Sequence, residues 1–258
     1  MITRRQFLIG CAGTVTALSG LSFLSEYKHL DEIIKSIPIL LYHRVGSETD
    51  ALTITTERFQ RDMATLSEDG YNTLTLDQLG QYLQGNSNQS LPKKPIMITF
   101  DDGYLDNYTN AFPILQKYSM KASFYIITGM VGQNNRLTAS QIREMETAGM
   151  TFGSHTITHR PLAELNTEEA TTELTKSKLD LEEILGKSVK FIAYPCGSYT
   201  AETIKIAHEA GYSGGFSVRP GFATFTNNMA IRRIPIFHYD RSISYVLLRK
   251  GLLPNILS

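Results

Sequence analysis

The stretch Pro95-Ile96-Met97-Ile98-Thr99-Phe100-Asp101-Asp102-Gly103 decides the fold. Its uncharged, mostly apolar opening fits a strand buried on both faces, the habit of parallel sheets. Two adjacent carboxylates follow where such a strand passes into a loop. Similar short runs recur at 38–42, 72–75, 122–127, 151–153, 190–194, 213–217 and 231–236, with longer amphipathic runs between them. Thr138-x-x-Gln141 and Asn166-x-x-Glu169 are capping boxes opening helices near 139–148 and 167–185. Gly70, Gly149, Gly186 and Gly211 each follow a helical run, where a left-handed residue closes it. Strand and helix alternating about seven times predict an α/β fold, a distorted (β/α)7-type barrel in a single domain. A doubly wound open sheet is the alternative.

The bulk properties agree. At 258 residues, 42% hydrophobic and 19% charged, the chain is long and apolar enough for a sizeable core. Lys plus Arg equals Asp plus Glu at 25 each, and no local basic patch stands out, so nucleic acid is not an expected partner. Two cysteines, Cys11 and Cys196, exclude a disulfide framework and a cysteine-rich zinc site. The six histidines are the better place to look for metal chemistry.

Residues 1–25 read as an export signal or N-terminal anchor, with residues 36–258 forming the single folded domain. Arg4-Arg5 precedes an apolar, small-residue stretch running to Leu24, and Thr3-Arg4-Arg5-Gln6-Phe7-Leu8 looks like a twin-arginine leader. Leu8-Ile9-Gly10-Cys11 resembles a lipoprotein box, although Arg5 lies close to Cys11 for that purpose. Export is therefore expected, with membrane contact only through the leader if it is uncleaved or lipidated. Removing the leader takes Arg4, Arg5 and Cys11, which turns the charge balance slightly acidic and leaves Cys196 alone.

In a parallel barrel, functional groups gather where strands end. The run 95–100 ends in Asp101-Asp102-Gly103, 151–153 in Ser154-His155-Thr156-Ile157-Thr158-His159, 190–194 in Pro195-Cys196-Gly197, and 38–42 in His43. His155 and His159 can converge on one ion from a helical turn or a tight loop. With one carboxylate they make a two-His, one-carboxylate set that leaves positions open for water and substrate. One of the two aspartates could instead cap a helix starting near Leu105. Two adjacent acids are more than a cap needs.

Thr99 to Gly103, Ser154 to His159 and Tyr194-Pro195-Cys196-Gly197 resemble, in order and spacing, the first three motifs of the NodB-homology polysaccharide deacetylases, carbohydrate esterase family 4. The resemblance runs from about 38 to 236 and implies metal-dependent removal of acetyl groups from a polymer, usually of N-acetylglucosamine (GlcNAc). By motif, Asp102, His155 and His159 bind the metal and Asp101 is the general base. Zn²⁺ is the first choice, and Co²⁺, Ni²⁺ or Fe²⁺ also suit the donor set. A backbone N–H at the Pro195-Cys196-Gly197 turn would contact the oxyanion. Cys196 as a nucleophile is the rival reading of that turn.

Two histidines compete for the general acid. Leu40-Leu41-Tyr42-His43 resembles the N-terminal Tyr-His motif of the poly-β-1,6-N-acetylglucosamine deacetylase branch, and Phe237-His238-Tyr239 partly resembles a C-terminal Leu-x-His motif. The N-terminal resemblance favours His43. Where many members carry an arginine that orients the base, this chain has Ala193, so Arg233 or Arg232 would have to reach that carboxylate. The chain has no tryptophan, and Tyr104, Tyr194 and Tyr199 are candidates to stack on sugar instead. Tyr194, Cys196, Tyr199 and Arg233 are accordingly the expected lining of the substrate pocket. The expected partner is an acetylated polysaccharide. Two other readings stay open: a carbohydrate O-acetyl esterase and a catalytically inactive polysaccharide-binding protein.

Overall fold

The computed structural model describes residues 35–85 and 91–256. The export segment, Cys11, His29 and part of the expected loop at 85–95 lie outside the described residues. A parallel path of seven strands forms the frame: β1 (Ile39–Tyr42), β5 (Pro95–Phe100), β6 (Ser123–Ile126), β7 (Thr151–Ser154), β8 (Phe191–Ala193), β9 (Gly214–Phe216) and β10 (Ile234–Pro235), with β10 beside β1. β4 (Asn72–Thr73) extends the N-terminal end of β5. A small separate pair, β2 (Arg44–Val45) with β3 (Thr53–Ile54), sits beyond β1. The segment 231–235 closes the ring, because Ile231 bridges Phe216 of β9 while Ile234 and Pro235 pair with β1. The barrel expectation holds, and the open doubly wound sheet does not.

Alternation along the strands sorts the core into two layers. Ile39, Met97, Tyr125, Phe191, Ala193 and Phe216 meet inside the ring. Their strand neighbours Leu40, Ile98, Phe100, Phe124, Phe152 and Ile192 face outward under the helices. On that outer face an aromatic row crosses adjacent strands, with Tyr42, Phe100, Phe124 and Phe152 at centroid separations of 5.5, 5.0 and 5.7 Å. Helix α2 (Leu76–Leu83) sends Leu76 and Leu79 into the inner cluster, and Leu76 N–H donates to Thr151 at the start of β7. The N-terminal end of the barrel is thereby plugged, leaving the opposite end for chemistry.

The outer helices begin and stop where local chemistry requires. α1 (Thr56–Glu68) starts at Thr55, whose hydroxyl accepts from Arg58 N–H. α4 (Ala139–Thr147) and α5 (Thr167–Leu185) open on the two expected capping boxes, and α6 (Ala201–Glu209) opens on a Thr200–Thr203 box. Gly70, Gly149, Gly186 and Gly211 all take positive φ after their helical runs. A helix does start at Leu105, but as a π-helical turn over Asn107–Ala111 that passes into α3 (Phe112–Lys117). Such a turn holds one extra residue and recurs at functional sites. No helix among the described residues is long and apolar enough to cross a membrane.

Inside the ring, Gly153 is required by its neighbours. A Cβ there would lie 2.5 Å from the Tyr125 ring and 2.9 Å from Phe191 O. The absent side chain gives Tyr125 its place in the interior.

Candidate active site

The inner parity of the strands continues past their carboxyl ends, and the chemistry sits on that last rung. Thr99 is followed two residues on by Asp101, Gly153 by His155 and Leu41 by His43, while Arg233 precedes β10. Asp101, Asp102, His155 and Arg233 are all buried.

Asp101 is gripped by Arg233 through two parallel bonds, Nη1 to Oδ1 and Nη2 to Oδ2, both 2.7 Å. Arg233 is itself fixed by Nε donating to Ser217 O at 3.0 Å, and it is fully buried. Burial works to raise the Asp101 carboxyl, but the charges of Arg233 and His155 outweigh it and hold Asp101 below the ordinary carboxylate range. Arg233 therefore orients Asp101 and has no exposed surface for substrate, which corrects its expected place in the pocket lining. Arg232 faces Arg219 instead, and burial with that like charge lowers its pKa.

Asp102 turns the other way. The backbone at Asp102 is left-handed, with φ 74°, which separates its carboxylate from that of its neighbour. Its Oδ1 lies 3.4 Å from Nε2 of both His155 and His159, and the three ligand atoms sit within 4.8 Å of one another. His155 uses Nδ1 on Ala193 O at 2.7 Å, so its Nε2 presents a lone pair toward Asp102. Asp102 Oδ1 is buried without a hydrogen-bond donor. A carboxylate oxygen facing the His155 lone pair is repulsive unless a proton or cation lies between, and this donor set suits a divalent ion. Against the cost of burial, Asp101 and Asp102 raise the pKa of His155, and His155 holds Asp102 well below the ordinary carboxylate range. His159 is lowered by burial and by the His155 charge.

The loop from His155 to His159 is a tight loop rather than a helical turn. Thr156 and His159 both take φ 64°, a costly conformation for these residue types. Thr156 N–H donates to Ser154 Oγ and His159 N–H to Thr156 Oγ1, at 3.2 and 3.1 Å.

His43 lies near enough to Asp101, Asp102 and His155 to feel their charges. Burial lowers its pKa, while the carboxylates of Asp101 and Asp102 pull in the opposite direction, and its Nδ1 is buried without a partner. His238 is exposed, its backbone N–H bonding Ala51 O and its ring 5.2 Å from Tyr239. The π-helical turn holds the His43 segment. Asn107 Nδ2 donates to His43 O at 2.9 Å, Asn110 Nδ2 to Val45 O at 2.7 Å, and Asp106 takes both Arg44 Nε and Val45 N–H. These supporting residues were not anticipated. Their only signal was amides spaced along one helical stretch.

At the Pro195-Cys196-Gly197 turn, Gly197 N–H bonds Tyr194 O and Ser198 N–H bonds Pro195 O. The Cys196 N–H makes no hydrogen bond among the described residues, which leaves it available to an incoming oxygen. Cys196 itself is exposed, with φ 56°. Partial burial and the charges of Asp102 and Glu164 push its thiol up, the reverse of nucleophile activation.

The expected sugar-stacking tyrosines divide. Tyr194 is fully buried on the outer face, its ring 4.8 Å from Tyr199, so it cannot line the pocket; strand parity turns Phe191 and Ala193 inward and Ile192 and Tyr194 outward. Tyr199 is half-buried against that outer core. Tyr104 lies against two guanidiniums, Arg136 at 3.9 Å and Arg44 at 4.7 Å from its ring centre.

Sequence and fold are similar to those of known proteins. Residues 88–215 match the family model described as polysaccharide deacetylase. YxkH of Bacillus subtilis, whose name places it among polysaccharide deacetylases, is 36% identical over 78% of this chain and 71% of its own length. A Staphylococcus aureus poly-β-1,6-N-acetyl-D-glucosamine N-deacetylase is 30% identical over 71% of this chain and 67% of its own length. Among solved structures, Streptococcus pyogenes deacetylase PplD in complex with acetate superposes with a TM-score of 0.77 at 31% identity, covering 83% of this chain and 98% of that one. The chain belongs to the polysaccharide deacetylase family, and an acetylated polysaccharide is its class of substrate.

Proposed function

We propose that this chain is an exported, metal-dependent N-deacetylase that removes acetyl groups from a GlcNAc-containing cell-surface polysaccharide or peptidoglycan. The observation that carries the reading is the division of labour between neighbours. Asp102 faces His155 and His159, while Asp101 is locked to Arg233 and kept free of a proton. Asp102, His155 and His159 would hold the ion, with Zn²⁺ the first choice and Co²⁺, Ni²⁺ or Fe²⁺ compatible. When bound, a divalent cation supplies Lewis acidity that acidifies water and polarises the acetyl carbonyl.

The chain's own groups do the rest. Asp101 accepts a proton from the attacking water as the new C–O bond forms. The free N–H of Cys196 faces the developing oxyanion. His43 donates a proton to the leaving nitrogen as the C–N bond breaks, giving acetate and an amine. Burial works against the protonated form of His43 that this role needs, while the charges of Asp101 and Asp102 favour that form. Tyr199 is only half-buried and lies three residues past Cys196, and we assign its exposed edge to the sugar site. The poly-β-1,6-GlcNAc relative supports a GlcNAc polymer, and the twin-arginine-like segment within residues 1–25 supports export.

The test is acetate release from poly-β-1,6-GlcNAc, chitin oligomers, peptidoglycan and acetylxylan, before and after chelation. Release from a GlcNAc polymer, lost with chelator and restored by Zn²⁺, is the expected result. Activity untouched by thorough chelation would sink the metal mechanism, and release from acetylxylan alone would move the reading to an O-esterase.

A further inference from the structure

Helix α5 carries a polar stripe where an outer helix of a barrel should present apolar residues. Glu173, Ser177 and Asp180 are spaced i, i+4 and i+7, on one helical face, and the first two are buried. All three are spent on the mouth of the barrel. Ser177 Oγ meets Ser154 Oγ at 2.8 Å, and Ser154 in turn accepts from Thr156 N–H. Asp180 accepts from Thr128 Oγ1 at 3.4 Å, and Thr128 N–H bonds Thr156 O. Glu173 does the most. Its Oε2 accepts from Ile157 N–H at 2.7 Å and Thr158 N–H at 3.0 Å, and its Oε1 accepts from the Thr158 hydroxyl.

Those three donors lie between His155 and His159. The loop that joins the two imidazoles contains two left-handed non-glycine residues, so it needs restraint to stay in place. Two backbone N–H groups and a hydroxyl converge on one buried carboxylate, an arrangement that only an acceptor on both oxygens can satisfy. We propose that Glu173 is a positioning residue for the ligand loop, holding the imidazole of His159 at the separation from His155 and Asp102 that a divalent cation requires. Glu173 does not touch the ion or the substrate. It acts by fixing the backbone from which His159 projects. The proposal rests on the reading that Asp102, His155 and His159 hold a cation.

Glu173→Gln is the discriminating change, because it keeps the shape but turns an NH₂ group toward a donor. Thr158→Val removes the hydroxyl bond alone. Leu181→Ala is the control: it opens a cavity on the same helix without touching the loop. Zn²⁺ affinity is measured on the full protein by competition with a chromophoric chelator, with the urea midpoint of each apo-protein alongside. Glu173→Gln is expected to weaken Zn²⁺ binding by about 10–100-fold, the usual range for partners of metal ligands. Thr158→Val should weaken it less, in the same direction, and Leu181→Ala should stay within about twofold because distant sites act independently. Wild-type affinity in Glu173→Gln, or in Thr158→Val should Glu173→Gln not fold, overturns the proposal. So does an equal loss in Leu181→Ala at matched destabilisation. A wild-type protein whose Zn²⁺ binding survives His155→Ala fails at the earlier step, removing the metal site and this inference together.

Discussion

Arg233 and Asp101, 132 residues apart in sequence, meet inside the barrel through two parallel bonds of 2.7 Å. A lysine offers a point charge and cannot reproduce that fork. Arg233→Lys should keep the fold and lower kcat by about 100-fold, the scale of a misplaced reacting group. Arg233→Met strands a buried carboxylate and should destabilise the protein by about 3–5 kcal/mol. Steady-state rates and urea titrations check both, and unchanged kcat in Arg233→Lys would remove Arg233 from the mechanism.

The two candidate acids are separated by place. His43 lies within electrostatic reach of Asp101 and Asp102, whereas His238 is exposed beside Tyr239. His43→Ala should lose about 10²–10⁴-fold in kcat, the range for a positioned proton donor. His238→Ala should stay near wild type. The reverse outcome reassigns the acid.

In the proposed mechanism Cys196 contributes a backbone N–H rather than its thiol. At φ 56° a glycine is free of the Cβ penalty, so Cys196→Gly should retain most acetate release and gain some stability. Complete loss of turnover in that variant would revive the nucleophile reading.

Gly153→Ala places a methyl group 2.5 Å from Tyr125 with backbone on the other side. Overpacking of this kind costs about 1–3 kcal/mol. The urea midpoint should fall accordingly, and an unshifted midpoint would mean that the interior has slack.

Alkaline titration gives a second handle on packing. Burial raises the phenols of Tyr42, Tyr125 and Tyr194, and pushes Tyr212 up to about 12 despite its bonds to neighbouring hydroxyls. The unfolded chain releases these protons near pH 10. Their contribution to stability is therefore complete below that pH and is lost as the pH rises toward 12. Tyrosinate absorbance should show one group of tyrosines ionising freely and these four only together with loss of the far-ultraviolet helix signal. Ionisation of all thirteen tyrosines before unfolding would contradict the buried placements.

Much of the site was legible because strand ends and strand parity are local properties. Asp101, Asp102, His155, His159 and His43 stand immediately after apolar runs, and the barrel brings every such end to one face. Tyr194 was misplaced by reading an aromatic near a functional turn as a functional aromatic. Counting alternation from Phe191 turns it outward, as the structure does. Glu173 and Ser177 had no comparable signal. A Glu and a Ser on a charged helix look like a solvated face until the neighbouring loop is in place. Ala193 in place of the family's arginine pointed Arg233 or Arg232 toward Asp101, but the choice between them depends on closure between β9 and β1, which no local pattern records.

That closure bears on when the molecule becomes an enzyme. The proposed ion ligands and Asp101 all precede residue 160, yet the counter-ion of Asp101 arrives only with residue 233, on the segment that shuts the ring. Without that segment, Asp101 would be buried without its partner and the sheet would stay unclosed. The strand that shuts the ring thus acts as a safety catch: the proposed hydrolysis waits until residue 233 has joined the sheet.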